Sequence, residues 1–569
     1  MKALRIKGKS ILPPPSLVIT GMATGVPGFD TILGGGLPEG SFNLVAGSPG
    51  VGKTTLVQQI AFANATSQRP ALYFTVLGEP TLKMLRYQRE FDFFDASLVG
   101  KAIHYVNLSE EALAGKLEVV LERIISEIER LKPGLIVLDS ISTLLRASFE
   151  SSRLSMGVDS FVQRLALHLA SWEITSFLVG EYAAREQRDP VFTVADGVFW
   201  LSQATDRNSV VRKVQAIKVR GRAPMPGLHT FRIDRRGLQI FPRIPEQQFE
   251  RRPQSILRLT TGVPGLDELM GGGVPAGDAL MLGGPAGSGK TTFATQFAAE
   301  GLRRGQAVVI VVFEEYPEEY LARAKARNQD FGALVGEANF QLIYLRPLDL
   351  SVDETLAEIL EAVYRLDATR VIIDSLSGFE VALAPAFRED FRESLYRLVG
   401  ALTATGVTIF MTTETTGGFP DTRFTTERVS FITDDILVQR FVEIDGAMQK
   451  VLSIHKMRGS AHSHDFYSYD ITAQGGVMGG PIRNYRGIGT GVPELQAIMP
   501  TTDYPGLTTR ESAVLDTLVR LGNPTLELLS ERTGLHTLEL SRILDRLKEV
   551  GYATFAQSGG RFRAVAQPE

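Results

Sequence analysis

A chain of 569 residues exceeds what one hydrophobic core usually organises, so two to four domains are expected and a small single module is excluded. With 44% hydrophobic and 22% charged residues it holds enough apolar surface to fold, which excludes disorder as its main state. Sixty basic against sixty-four acidic side chains leave a net charge of -4, so the whole chain is no electrostatic sleeve for nucleic acid or anionic lipid, and the absence of cysteine excludes disulfides, thiolate metal sites and cysteine nucleophiles.

The N-terminal arm, 1–15, carries Lys2, Arg5, Lys7 and Lys9, then Ile11-Leu12 before Pro13-Pro14-Pro15, too short an apolar run for a signal peptide. Ala307–Phe313 is about the longest apolar run in the chain, far below a bilayer span, so a cytoplasmic location and no membrane partner are expected.

Thr24-Gly25-Val26-Pro27-Gly28 returns as Thr261-Gly262-Val263-Pro264-Gly265, with Asp30 returning as Asp267 and Gly34-Gly35-Gly36 as Gly271-Gly272-Gly273. A repeat this long is a duplicated domain rather than a solenoid unit. The copies are placed at 16–243 and 256–485, with 244–255 as a linker. In the first, apolar strands are read at Phe42–Ala46, Ala71–Val76 and Leu135–Leu138, with a helix at Leu117–Leu131. In the second they are read at Ala279–Gly283, Val308–Phe313 and Val371–Ile373, with a helix at Thr355–Leu366. Strands alternating with helices point to an α/β fold around a mostly parallel sheet. Near the end of the second copy, Asp445-Gly446 between two apolar runs signals a hairpin.

Two phosphate loops sit in register. Gly47-Ser48-Pro49-Gly50-Val51-Gly52-Lys53-Thr54, followed by Thr55, and Gly284-Pro285-Ala286-Gly287-Ser288-Gly289-Lys290-Thr291, followed by Thr292, each follow a strand and open a helix. In that context backbone amides face phosphate oxygens, Lys53 and Lys290 reach the β and γ phosphates, and Thr54 and Thr291 offer hydroxyls to magnesium. ATP and Mg2+ are the expected ligands. Asp139 and Asp374 end apolar strands and are the second magnesium ligands, unless they merely cap the helices that follow, a task Ser140 and Ser375 could share. Glu314-Glu315 closes a strand in copy two and supplies the candidate base; copy one has Leu77-Gly78-Glu79, leaving Glu79.

These loops, together with the Thr-Gly-Val-Pro-Gly-x-Asp lead-in, Phe313-Glu314-Glu315-Tyr316-Pro317 and Lys456-Met457-Arg458-Gly459-Ser460, resemble the KaiC family of the RecA/RadA ATPase superfamily. The resemblance implies two tandem RecA-like P-loop domains, a homo-hexamer of stacked rings with regulatory protein partners, and ATP bound between subunits. It further implies that a lysine-x-arginine pair, Lys456 and Arg458 in copy two and Lys218 and Arg220 in copy one, reaches a neighbour's γ phosphate. The family's adjacent serine and threonine phosphosites match Ser430 and Phe431, so at most single-site autophosphorylation on Ser430 is expected, with Glu314 as base. Because Leu77 and Gly78 stand where the family has two glutamates, hydrolysis in copy one is expected to be slow.

After the connector 486–506, three helical patterns, Leu507–Gly522, Thr525–Thr533 and His536–Val550, precede Ala553–Val565, which is interrupted by Ser558-Gly559-Gly560. This reads as a winged-helix-like domain, 507–569. Eight basic and eight acidic residues leave it neutral, so contact with protein or with nucleic acid both stay open. A signalling or timing ATPase leads; a RadA-like recombination or helicase motor and a nucleotide-gated transcription regulator are the alternatives.

Overall fold

The computed structural model describes residues 21–76, 81–113, 117–149, 157–182, 190–206, 209–243, 257–332, 339–345, 350–383, 387, 391–415, 432–444, 446–483, 485–489, 493–495, 504–522, 524–556 and 561–564. The arm, the linker, Glu79 and Ser430 lie outside them.

In the first repeat the strands of the main sheet are β1 (Phe42–Gly47), β2 (Ala71–Thr75), β3 (Ile103–Asn107), β4 (Leu135–Asp139), β5 (Thr175–Glu181), β6 (Gly197–Asp206), β7 (Ser209–Val219), β8 (His229–Asp234) and β9 (Gly237–Phe241). They form one sheet in the order β9-β8-β7-β6-β1-β5-β4-β2-β3. From β6 to β3 neighbours run parallel, and β7, β8 and β9 extend the sheet by antiparallel pairing. Its helices include α1 (Lys53–Asn64), α2 (Leu117–Leu131), α3 (Ile141–Phe149) and α4 (Val158–Ser171). Every residue of β1 is buried, because alternate side chains enter different layers. Val45 packs with Leu56 and Ile60 of α1, whereas Leu44 and Ala46 pack with Leu121 and Ile124 of α2 and Phe161 and Leu165 of α4.

The second repeat reproduces the arrangement with β10 (Ala279–Gly284), β11 (Val308–Val312), β12 (Phe340–Tyr344), β13 (Arg370–Asp374), β14 (Thr408–Glu414), β15 (Asp435–Ile444), β16 (Ala447–Met457), β17 (Tyr467–Thr472) and β18 (Gly475–Pro481), ordered β18-β17-β16-β15-β10-β14-β13-β11-β12. Its helices include α5 (Lys290–Arg303), α6 (Pro317–Lys325), α7 (Val352–Leu366), α8 (Leu376–Ala382) and α9 (Phe391–Ala404). The fold is thus the expected pair of RecA-like domains. α7 starts three residues before its apolar pattern does, because Ser351 Oγ accepts the Glu354 N–H at 3.1 Å and caps a polar first turn. β15 and β16 form the hairpin that Asp445-Gly446 signalled, pairing Ile444 with Ala447.

The C-terminal residues form α10 (Thr509–Leu521), α11 (Leu526–Thr533), α12 (Thr537–Glu549) and an antiparallel pair, β19 (Ala553–Ala556) with β20 (Arg561–Ala564). Thr508 and Glu511 make a reciprocal capping box that sets the start of α10. Val514, Leu518, Leu529, Leu540, Leu544 and Leu547 close one small core. Among the described residues no helix is long and apolar enough to cross a membrane.

The repeated lead-in is a turn that delivers the chain to the sheet. Asp30 accepts the Thr24 N–H at 2.9 Å, and Asp267 accepts the Thr261 N–H at 2.8 Å. Gly28 has φ 77°, and a Cβ there would stand 1.9 Å from the Ile240 carbonyl oxygen. Gly305 has φ 73° but open space around it. Gly28→Ala should therefore destabilise the first domain by about 2–4 kcal/mol, against about 1 kcal/mol for Gly305→Ala in the second, read as a drop in melting temperature.

Candidate nucleotide sites

Each phosphate loop joins the end of a buried central strand to a helix start, β1 to α1 and β10 to α5. The N-cap residues are Gly52 and Gly289, both at φ 103°, and neither helix has a side-chain cap. The first-turn amides are thereby left without intrahelical acceptors, which is the condition for holding an anion. Gly50 and Gly287 form the open apex of each loop.

In the first repeat a cavity of about 280 Å³ is lined by Gly50, Lys53, Thr54, Asp139, Ser140 and Glu181 among others. Lys53 Nζ donates to the Ser48 carbonyl at 2.8 Å. Burial pushes its ammonium below the ordinary lysine value, while the carboxylates of Glu181 and Asp139 pull the other way. Thr54 Oγ1 and Tyr73 Oη both donate to Asp139 Oδ2 at 2.8 Å. Burial raises the Asp139 carboxyl above the usual range, and those two hydroxyls oppose the rise. A threonine hydroxyl beside a carboxylate is a hard oxygen pair that suits magnesium, which keeps most of its shell as water and phosphate oxygens. Among the described residues no cluster of three or more His, Asp or Glu could hold a metal without such help. Ser140 caps α3, its Oγ accepting the Thr143 N–H at 3.3 Å, so the helix does not need Asp139 as its cap.

The second repeat keeps this frame with different supports. Lys290 Nζ donates to the carbonyls of Gly284 and Pro285 at 2.9 and 2.8 Å, and burial lowers its ammonium against the pull of Glu414, Asp374 and Glu314. Thr291 lies in the first turn of α5, and Asp374 ends β13 and accepts from Thr412 Oγ1. Ser375 caps α8 through the Gly378 N–H at 3.0 Å and donates to Glu314 Oε1 at 3.1 Å. Glu314 therefore stands beside Asp374. Glu315 instead pairs with Arg323, and burial raises its carboxyl. Beneath the loop, Ser288 Oγ donates to Gln439 Oε1 at 2.8 Å, and Tyr469 Oη donates to the Ser288 carbonyl at 2.7 Å. The first repeat fills the matching space with Val51, Leu201 and Phe231.

The two cation pairs lie at the other end of their sheets. Lys218 Nζ donates to the Thr193 carbonyl, and Arg220 pairs with Asp196, whose Oδ2 accepts the N–H of Phe42, the first residue of β1. Lys456 Nζ donates to the Thr433 carbonyl, and Arg458 pairs at 3.4 Å with Asp434, whose Oδ2 accepts the N–H of Ala279, the first residue of β10. The phosphate loops leave the last residues of the same strands, roughly 16 Å away at about 3.3 Å per residue.

Glu181 and Glu414 went unread in the sequence although they carry the signal that marked Asp139 and Asp374, a carboxylate ending an apolar strand. Their backbones are held alike, each N–H donating at 3.0 Å to a serine of the helix that follows the strand-end aspartate, Ser142 of α3 or Ser377 of α8. Tyr73 and Thr412 had no signal, because they support corresponding aspartates from non-corresponding strands.

A family model described as ATPase: KaiC matches residues 22–244 and again 259–481. The circadian clock oscillator protein KaiC of Thermostichus vulcanus is 28% identical over 481 residues, covering 83% of this chain and 91% of that protein. The circadian clock protein KaiC3 of Synechocystis sp. is 27% identical over 500 residues, covering 85% and 97%. The circadian clock oscillator protein KaiC of Prochlorococcus marinus is 25% identical over 480 residues, covering 83% and 95%.

Next to Arg458 the second repeat buries Asp435, whose Oδ1 accepts the Arg458 N–H at 3.4 Å and whose Oδ2 has no hydrogen-bond partner among the described residues. Burial pushes its carboxyl up to about 7, helped by the nearby Asp278. Between the ordinary carboxylate value and about 7 the folded domain holds a proton that the unfolded chain has released, so this contribution to stability falls as pH rises through that window. Asp435→Asn should raise the melting temperature of the second domain at about pH 8 and leave it nearly unchanged at about pH 4.

Proposed function

The chain belongs to the KaiC ATPase family, and from that premise we propose that it is a ring-forming ATPase whose slow turnover of ATP sets a state read by a partner protein, in a timing or signalling role. The observation that carries the ring is the separation within each sheet. A repeat's own arginine, held at the first residue of the central strand, lies farther from its own phosphate loop than a side chain extends. Lys218 and Arg220, and Lys456 and Arg458, therefore serve the site of a neighbouring copy, and a homo-hexamer is the assembly that closes such head-to-tail seams.

In the second site the loop amides, Lys290 and the neighbour's Lys456 and Arg458 hold the triphosphate. Glu314, fixed by Ser375, takes the proton of the attacking water. Magnesium, held with the nucleotide by Thr291 and Asp374, and by Thr54 and Asp139 in the first site, supplies neutralisation of phosphate charge. Autophosphorylation on Ser430 by the same base belongs to this reading. After incubation with ATP the intact chain gains one phosphate, which Ser430→Ala abolishes. A recombination motor is disfavoured, and single-stranded DNA leaves turnover unchanged.

Lys290→Ala and Arg458→Ala should each lower ATP turnover at least tenfold. Mixed in equal amounts and allowed to exchange subunits, they should recover about a quarter of the second site's rate, since about one seam in four then pairs an intact loop with an intact arginine. A mixture no faster than its components would refute action across the seam.

Residues 507–569 act as a winged-helix-like module that contacts protein. Its third helix exposes Leu538 at its N-terminal end, Glu539 there pairs with Arg510, and the exposed Arg542, Arg546 and Lys548 are matched by Glu539, Asp545 and Glu549, so the surface that would enter a DNA groove is charge-neutral rather than basic. Deleting these residues should leave ATP turnover within about twofold. Duplex DNA should not bind the full chain at physiological salt in an anisotropy titration.

A further inference from the structure

The first nucleotide site has a loop, a lysine and a magnesium pair, but Leu77-Gly78 stands after β2 where the second repeat has Glu314-Glu315 after β11. Two carboxylates line its cavity among the described residues, Asp139 and Glu181. Asp139 Oδ2 already accepts from Thr54 and Tyr73, which fits it to the metal and not to proton transfer.

Glu181 is differently placed. It ends β5 directly beside Gly47, the residue where β1 turns into the phosphate loop, and the two are register partners. Its backbone N–H is anchored at 3.0 Å on Ser142, in the first turn of the helix that follows Asp139. The carboxylate is thus carried by the two elements that hold the rest of the site, and its side chain is half-buried in the cavity shared with Lys53.

We propose that Glu181 orients and deprotonates the attacking water in the first nucleotide site, doing there what Glu314 does in the second. This rests on the ATPase reading and names the residue that completes it. The water oxygen bonds to the γ phosphorus, the bond from that phosphorus to the β,γ-bridging oxygen breaks, and ADP departs. The proton lost by water passes to Glu181 and then to the released phosphate, giving ADP and inorganic phosphate with no other reactant. Glu414 has the matching strand-end position beside Gly284, where Glu314 is also present.

The test measures steady-state ATP hydrolysis by the full-length chain carrying Lys290→Ala, which leaves the first site to be read alone. Adding Glu181→Gln should lower kcat about a hundredfold, with KM for ATP within about threefold and native mass unchanged, and Glu181→Asp should retain part of the lost rate. A kcat within about threefold of the Lys290→Ala parent would overturn the proposal. So would loss of ATP binding or of the assembly in both Glu181 variants, which would mark the residue as support for the loop. Absence of turnover in the Lys290→Ala parent, while the unsubstituted chain hydrolyses ATP, would overturn it equally. If the unsubstituted chain hydrolyses no ATP, the ATPase reading itself falls.

Discussion

The structure depends on backbone amides that have nowhere to go inside their own helix. At the starts of α1 and α5 a glycine takes the N-cap in a left-handed conformation and no side chain closes the turn, so several N–H groups point out of the helix end. A buried central strand fixes where that end stands, and the helix behind it is packed into the core through Leu56 and Ile60 or Phe293 and Phe297. An anion satisfies those donors without costing the fold anything, which is why the lysine, the threonine and the strand-end aspartates gather around this one point.

Duplication has kept that backbone and changed what stands behind it. Val51, Leu201 and Phe231 back the first loop with an apolar contact, whereas Ser288, Gln439 and Tyr469 back the second with two hydrogen bonds. The strand-end aspartate is steadied by Tyr73 from β2 in one repeat and by Thr412 from β14 in the other. Apolar packing tolerates small shifts of the loop, while directed hydrogen bonds hold it in one position. The two sites thus share an architecture and differ in how stiffly it is held.

Placing the cation pairs at the opposite end of each sheet gives a parallel sheet two functional poles. Asp196 and Asp434 each bind an arginine with one oxygen and the opening residue of the central strand with the other, so the arginine is tied to the same strand that ends in the phosphate loop. One strand therefore joins the phosphate loop at its end to the arginine-binding aspartate at its start.

The sequence alone determined the duplication, the two phosphate loops and the helix-strand alternation, because glycine conformation, apolar periodicity and loop spacing are local properties written in consecutive residues. It located Asp139, Asp374 and Glu314 by their strand-end position, and the same rule would have located Glu181 and Glu414. Tertiary structure alone decided that Ser140 and Ser375 do the capping, leaving both aspartates to the site, and that Glu315 is engaged by Arg323 while Glu314 faces Ser375. It also decided that the cation pairs stand a full strand length from their own loops. The two caps and the pair of Glu315 with Arg323 are local contacts, but Glu314 with Ser375, Asp196 with Phe42 and Asp434 with Ala279 lie 61, 154 and 155 positions apart. The sheet order that brings such residues together is set by packing rather than by any nearby pattern in the chain.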